Sequence, residues 1–278
     1  MNPSNCASEN RFWSLFEFAP AALVLNRSFF TVAFGLCLLA SLVGCKTDPP
    51  VVAPRHPTYV LVHGAFGGGW DWRQVDDLLA ADGCKVFRPT LTGQGERLHL
   101  ATTNIDLDTH IQDIVSVILW ENLHDVVLVG HSYGGMVITG VADRVPDRIK
   151  HVIYVDAILP VNGESVNTTI PSNAHRLITN GFVVVTRVKG TPPPHEVSMP
   201  AKTFSEPITL TNQAAAQKIP ATYILTVDEG KAPDQDTFYP FYLRAQARGW
   251  PAWIMEGDHF VNRTHPKELV QLLEKAAQ

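Results

Sequence analysis

The stretch Val126-Val127-Leu128-Val129-Gly130-His131-Ser132-Tyr133-Gly134-Gly135 decides the fold. Its apolar half reads as a strand buried on both faces, because a half-buried strand would alternate apolar with polar residues. It runs directly into Gly-x-Ser-x-Gly, and a helical segment from Met136 to Arg144 follows. Strand, tight glycine turn and helix in that order lift a serine hydroxyl above the end of a sheet. Ser132 is the expected nucleophile.

Working outward, Tyr59–Val62, Lys85–Arg88, Ile149–Val155, Ala221–Val227 and Ala252–Met255 read as further strands. Helical spacing of apolar residues covers Trp70–Ala80, Asp108–Trp120, Phe238–Arg248 and Pro266–Ala276. Strands alternating with helices imply an α/β architecture, a mostly parallel sheet with helices on both faces. Residues 157–219 break this rhythm with Pro160, Pro171, Pro192-Pro193-Pro194, Pro200 and Pro207, and read as a cap inserted over the strand ends.

A serine hydroxyl needs a base within hydrogen-bond reach, and the base needs a third group to orient it. After the last strand comes Gly257-Asp258-His259, a loop histidine ahead of the terminal helix, which makes His259 the expected base. The strand Tyr223–Val227 ends in Asp228-Glu229. Asp228 is the preferred acid, being first off the strand and stiffer; Glu229 is its neighbouring alternative, and Asp156, at the end of Ile149–Val155, is a third. His63 and His131 lie inside loop motifs and read as shaping backbone. An oxyanion needs preorganised N–H donors. Tyr133, after the nucleophile, supplies one, and Ala65, in the glycine-rich loop His63–Trp70, is expected to supply the other. No metal-ligand spacing, cysteine pair or nucleotide-binding glycine motif occurs, so neither metal nor cofactor is expected. A net charge of -5 gives no basic footprint for nucleic acid.

These residues resemble the plant methylesterase and hydroxynitrile lyase branch of the α/β-hydrolases, with its bacterial esterase relatives. The likeness rests on Leu61-Val62-His63-Gly64-Ala65, Gly69-Trp70-x-Trp72, Gly130-His131-Ser132-Tyr133-Gly134-Gly135-Met136 and Gly257-Asp258-His259. It implies the α/β-hydrolase fold with an inserted cap, Ser132 and His259 as catalytic, and Ala65 and Tyr133 as oxyanion donors. The chain order Ser132, Asp228, His259 fits that fold, while counting back from Pro233 in the plant spacing favours Glu229. Lyases of this branch carry lysine after the histidine and threonine in the oxyanion loop; here Phe260 and Ala65 stand there. Hydrolysis of a small or medium, apolar carboxylic ester through an acyl-enzyme is therefore expected. Lyase-type C–C cleavage and non-hydrolytic ligand binding on the same fold are the alternatives. Phe66, Trp70 and Trp72 would supply an apolar wall, or belong to the core.

Upstream, Asn26-Arg27 precedes an uncharged run from Ser28 to Leu42 that closes with Val43-Gly44-Cys45. This resembles a bacterial lipoprotein signal, the apolar run being shorter than the roughly 20 residues of a spanning helix. The resemblance implies removal of residues 1–44, lipid on Cys45, a Pro-rich tether over 45–57 and a hydrolase domain over 58–278. It also implies a membrane partner through that lipid. Lys46 after the cysteine implies sorting to the periplasmic face of the outer membrane. Cys84 alone remains in the domain, which excludes an intramolecular disulfide there.

Overall fold

Period-two alternation along the central strands sets the architecture. In the computed structural model, which describes residues 56–185 and 191–278, strands β1 (Thr58–Val62), β2 (Lys85–Phe87), β3 (Val126–His131) and β4 (Ile149–Val155) form part of one sheet. Helices α1 (Arg73–Ala81), α2 (Leu107–Trp120) and α3 (Gly134–Arg144) fall between them. Val60, Val62, Val126, Leu128, Val152 and Tyr154 face one apolar cluster, whereas Tyr59, Leu61, Val127, Val129, Ile153 and Val155 face the other. Both faces are buried, so apolar residues fill both registers of the central strands. That is why the sequence reads as unbroken apolar runs.

Strand β4 is followed by an insertion holding α4 (Val166–Thr169), a small antiparallel sheet of β5 (Ile178–Thr179), β6 (Phe182–Val183) and β7 (Met199–Pro200), then α5 (Lys202–Ser205) and α6 (Gln213–Ala216). The main pattern resumes with β8 (Ala221–Val227), α7 (Tyr239–Ala247), β9 (Ala252–Glu256), α8 (Val261–Thr264) and α9 (Pro266–Ala277). The six-stranded sheet has the order β2-β1-β3-β4-β8-β9, and all its pairings are parallel. Leu79 of α1 and Leu269 and Leu273 of α9 cover one face. Ile111, Ile114 and Ile118 of α2, Met136 and Val137 of α3, and Phe241 of α7 cover the other.

Of the residues expected as a cap over 157–219, the described ones lie between β4 and β8 in the chain, and Ile158, Val166, Ile170 and Phe204 among them line the cavity at Ser132. Several contacts fasten the insertion's described residues to the body. Arg244 of α7 donates to both oxygens of Glu164, at 2.6 and 3.0 Å, and to the Leu159 carbonyl at 2.6 Å. Asp143 of α3 accepts the Thr211 and Asn212 amides, each at 2.8 Å. The Val197 amide donates to the Phe66 carbonyl at 2.9 Å.

Crowding at the turn after β3 demands glycine. A Cβ on Gly130 would lie 2.8 Å from the Gly134 carbonyl oxygen, and one on Gly135 only 2.0 Å from that of Ile158. Both approaches are to backbone, which cannot swing aside as a side chain would. We expect Gly135→Ala to lower the urea midpoint by the equivalent of about 1–3 kcal/mol, the usual cost of overpacking. An unchanged midpoint would contradict that reading of the turn.

Candidate active site

Three strand ends converge on one point above the sheet. Ser132 leaves β3 with φ of +54°, a left-handed backbone that few non-glycine residues adopt. The strain is held by hydrogen bonds on both sides: the Ser132 amide donates to the Val155 carbonyl at 3.3 Å, and the Ile158 amide donates to the Ser132 carbonyl at 3.0 Å. His259 comes from the loop after β9. Its Nε2 lies 3.0 Å from Ser132 Oγ, and its Nδ1 lies 2.6 Å from Asp156 Oδ2. A carboxylate can only accept, so Nδ1 carries the proton and Nε2 is left to receive the serine's. The relay is complete.

The acid is therefore Asp156, not Asp228. Asp228 has a side chain 45% exposed and paired with Lys231, and Glu229 is exposed beside it. Topology explains the difference. The β4 strand is the immediate neighbour of β3, whereas β8 lies one strand farther out, so the turn after β4 is the one hydrogen-bonded to the nucleophile's backbone. Asp156 itself has φ of +44° and is fully buried. Its amide donates to the Ile224 carbonyl at 2.7 Å, and its Oδ1 accepts the Thr226 amide at 3.2 Å. The Tyr223 phenol holds the next peptide, donating to the Ala157 carbonyl at 2.7 Å and accepting its amide at 3.1 Å. A sequence signal existed: a strand joined by one helix to the nucleophile strand lands beside it by a right-handed crossover, which favours a carboxylate at its end.

The two expected oxyanion donors are aimed by the far ends of their own peptides. In a trans peptide the C=O and N–H point opposite ways. The Ser132 carbonyl is held by the Gly135 and Ile158 amides, which turns the Tyr133 N–H the other way. His63 does the same for Ala65. Its Nε2 accepts the Leu91 amide at 3.0 Å, so Nδ1 bears the proton and donates to the Gly64 carbonyl at 2.8 Å. Ala65 and Tyr133 both line the cavity above Ser132. The Tyr133 phenol donates to Nδ1 of buried His110 at 2.9 Å, whose Nε2–H donates to the Thr92 carbonyl at 3.0 Å.

His131 donates from Nε2 to the His259 carbonyl at 2.6 Å, and the two rings lie 4.6 Å apart. Burial, reinforced by the nearby His259 charge, holds His131 well below the usual imidazole range. It stays neutral, leaving His259 to take the proton. The Phe238 ring stacks on His259 at 4.9 Å, a support with no signal in the sequence. Beyond these groups opens a cavity of about 320 Å³, walled by Ile158, Val166, Ile170, Phe204 and Phe238. The expected aromatic wall is elsewhere. Trp72 is core, Trp70 lines a different depression, and Phe66 packs against Phe204 from behind at 5.8 Å. Among the described residues no group of three His, Cys, Asp or Glu side chains is placed to hold a metal ion. Cys45 lies outside the described residues.

The sequence matches the Alpha/beta hydrolase family over residues 59–272. The carbendazim hydrolyzing esterase of a Nocardioides species is 50% identical over 113 residues, covering 41% of this chain and 47% of that protein. The pheophorbidase of Raphanus sativus is 35% identical over 111 residues, covering 40% and 42%. Each match thus spans less than half the length of the relative. Among solved structures, an extracellular alpha/beta-hydrolase from a Paenibacillus species superposes with a TM-score of 0.64 at 24% identity, covering 79% of this chain and 98% of that one. At that identity the likeness is one of fold.

Two outcomes follow from the site. Asp156→Asn should lower kcat for ester hydrolysis by about 10⁴, the scale seen when the orienting carboxylate of such a triad is neutralised, while Asp228→Asn stays within about twofold. A severe Asp228→Asn with a mild Asp156→Asn would reverse the assignment. Burial also holds His63 and His110 down to about 4. The unfolded chain, with imidazoles near 6.5, binds more protons between those values, so stability must fall as pH drops from about 6.5 to 4. Asp71, raised by burial to about 6, and Asp236, also raised, oppose this, while His131, likewise lowered, adds to it. Urea midpoints that stay level across that window would contradict the buried-neutral state of the two histidines.

Proposed function

The chain belongs to the Alpha/beta hydrolase family, and on that premise we propose that it is a serine hydrolase of carboxylic esters. The observation that carries the reading is the unbroken hydrogen-bonded line from Asp156 through His259 to Ser132, opening on a cavity with both apolar and polar walls. Relatives named as esterases support it. So does Phe260 after His259, where the lyase resemblance would require lysine.

Ser132 Oγ attacks the ester carbonyl as His259 Nε2 takes its proton, and Asp156 stabilises the imidazolium that forms. The oxyanion settles between the Ala65 and Tyr133 amides, each contributing about 3–4 kcal/mol to the transition state on the scale of other such sites. Collapse expels the alkoxide, which leaves as alcohol with the proton from His259. Water then enters, gives a proton to the same nitrogen and attacks the acyl carbonyl. The acid departs and Ser132 recovers its hydrogen. A cavity of about 320 Å³ is at the lower end for drug-sized ligands, which favours a small or medium ester.

The cellular placement rests on the sequence resemblance alone: residues 1–44 removed, Cys45 lipidated, and the domain tethered at the periplasmic face of the outer membrane. Mass spectrometry of the mature protein should find an acylated Cys45 at its amino terminus; a mature chain starting elsewhere, or lacking acyl groups, rejects the anchor. For the chemistry, Ser132→Ala should keep the unfolding midpoint within a few degrees and lower p-nitrophenyl butyrate turnover by at least about 10³. A folded variant that retains turnover would reject the nucleophile.

A further inference from the structure

One wall of the cavity carries a carboxylate that the relay does not use. Asp236 follows the tight turn Pro233–Gln235 and lines the cavity together with Thr237, Phe238 and His259. Its position is fixed: Oδ1 accepts the Phe238 amide at 2.7 Å, and its carbonyl accepts the Tyr239 amide at 3.2 Å. Oδ2 has no hydrogen bond or ion pair to any described residue. His259 Nδ1 is already committed to Asp156, so Asp236 is not a second orienting acid. Ile158, Val166, Ile170 and Phe204 line the same space, beside the polar Ser132, Ser172, Thr237 and His259. Burial, then the nearby Asp156 charge, holds the Asp236 carboxyl above its usual range. Half-buried and with no protein partner, Oδ2 is open to a donor brought by a bound ligand.

We propose that Asp236 determines substrate choice by accepting a hydrogen bond from an N–H borne by the ester, so that preferred substrates join an apolar body to an amide or carbamate N–H. This rests on the ester-hydrolase reading and deepens it.

The test compares the p-nitrophenyl esters of N-acetylglycine and N-acetylsarcosine, which differ by one N–H replaced with N–CH₃, alongside p-nitrophenyl pentanoate. The variant is Asp236→Asn, which keeps Oδ1 for the Phe238 amide and puts an amide donor where Oδ2 was. The glycine-to-sarcosine ratio of kcat/KM should fall by about tenfold or more from wild type to variant, mainly through KM, the scale of a hydrogen bond to a charged acceptor. An unchanged ratio overturns the inference, including the case where both esters lose rate equally, which would place Asp236 in tuning the His259 charge. Wild-type turnover of the pentanoate ester with an unchanged ratio defeats the inference alone. No wild-type turnover of any of the three defeats the hydrolase reading with it.

Discussion

Everything at this site depends on a buried anion being fully partnered. Asp156 has no solvent exposure, and an ionised carboxylate in such a place is tolerated only when its oxygens find donors. One oxygen takes the Thr226 amide from β8, the other the Nδ1 proton of His259 from the loop after β9. The acid thereby ties the two outer strands of the functional half of the sheet to the nucleophile turn. It also fixes the tautomer that leaves His259 Nε2 free to act as base. Move the carboxylate to solvent, where Asp228 sits, and the imidazole loses both its orientation and the charge that balances it.

The other histidines show how the same side chain is kept from competing. His63, His110 and His131 are each buried and each makes hydrogen bonds that suit the neutral ring. His63 and His131 set backbone: one turns the Gly64–Ala65 peptide toward the cavity, the other holds the carbonyl of His259. His110 anchors the phenol of Tyr133, whose amide faces the cavity beside Ser132. Burial removes their basicity and leaves their geometry. Stability therefore declines as pH falls below the value at which free imidazole gains its proton, so the site's architecture carries its own acid sensitivity.

Much of this was legible in the sequence because burial on both faces writes an unmistakable apolar run. Val126–Val129 and Tyr223–Val227 had to be inner strands, and the glycines on either side of Ser132 had to mark a tight turn. His259 stands out because it follows the last strand, and His63 and His131 because they lie inside loop motifs. The acid was misread for a physical reason. Asp156 and Asp228 both end parallel strands, and choosing between them needs the lateral order of strands, which local pattern does not carry. The cap was legible only as an interruption: its two-residue strands and four-residue helices are too short to show a period. Phe238 and Asp236 were invisible, since nothing local distinguishes an aromatic that stacks on the base, or an acid that enters the cavity, from surface residues of a loop.

The most direct measurement is a crystal structure of the protein after reaction with a fluorophosphonate. The account predicts phosphorus bonded to Ser132 Oγ, its anionic oxygen about 2.7–3.1 Å from the Ala65 and Tyr133 amide nitrogens, and the His259 imidazole still bonded to Asp156. An adduct on another residue, or an imidazole partnered by Asp228 or Glu229, would contradict it.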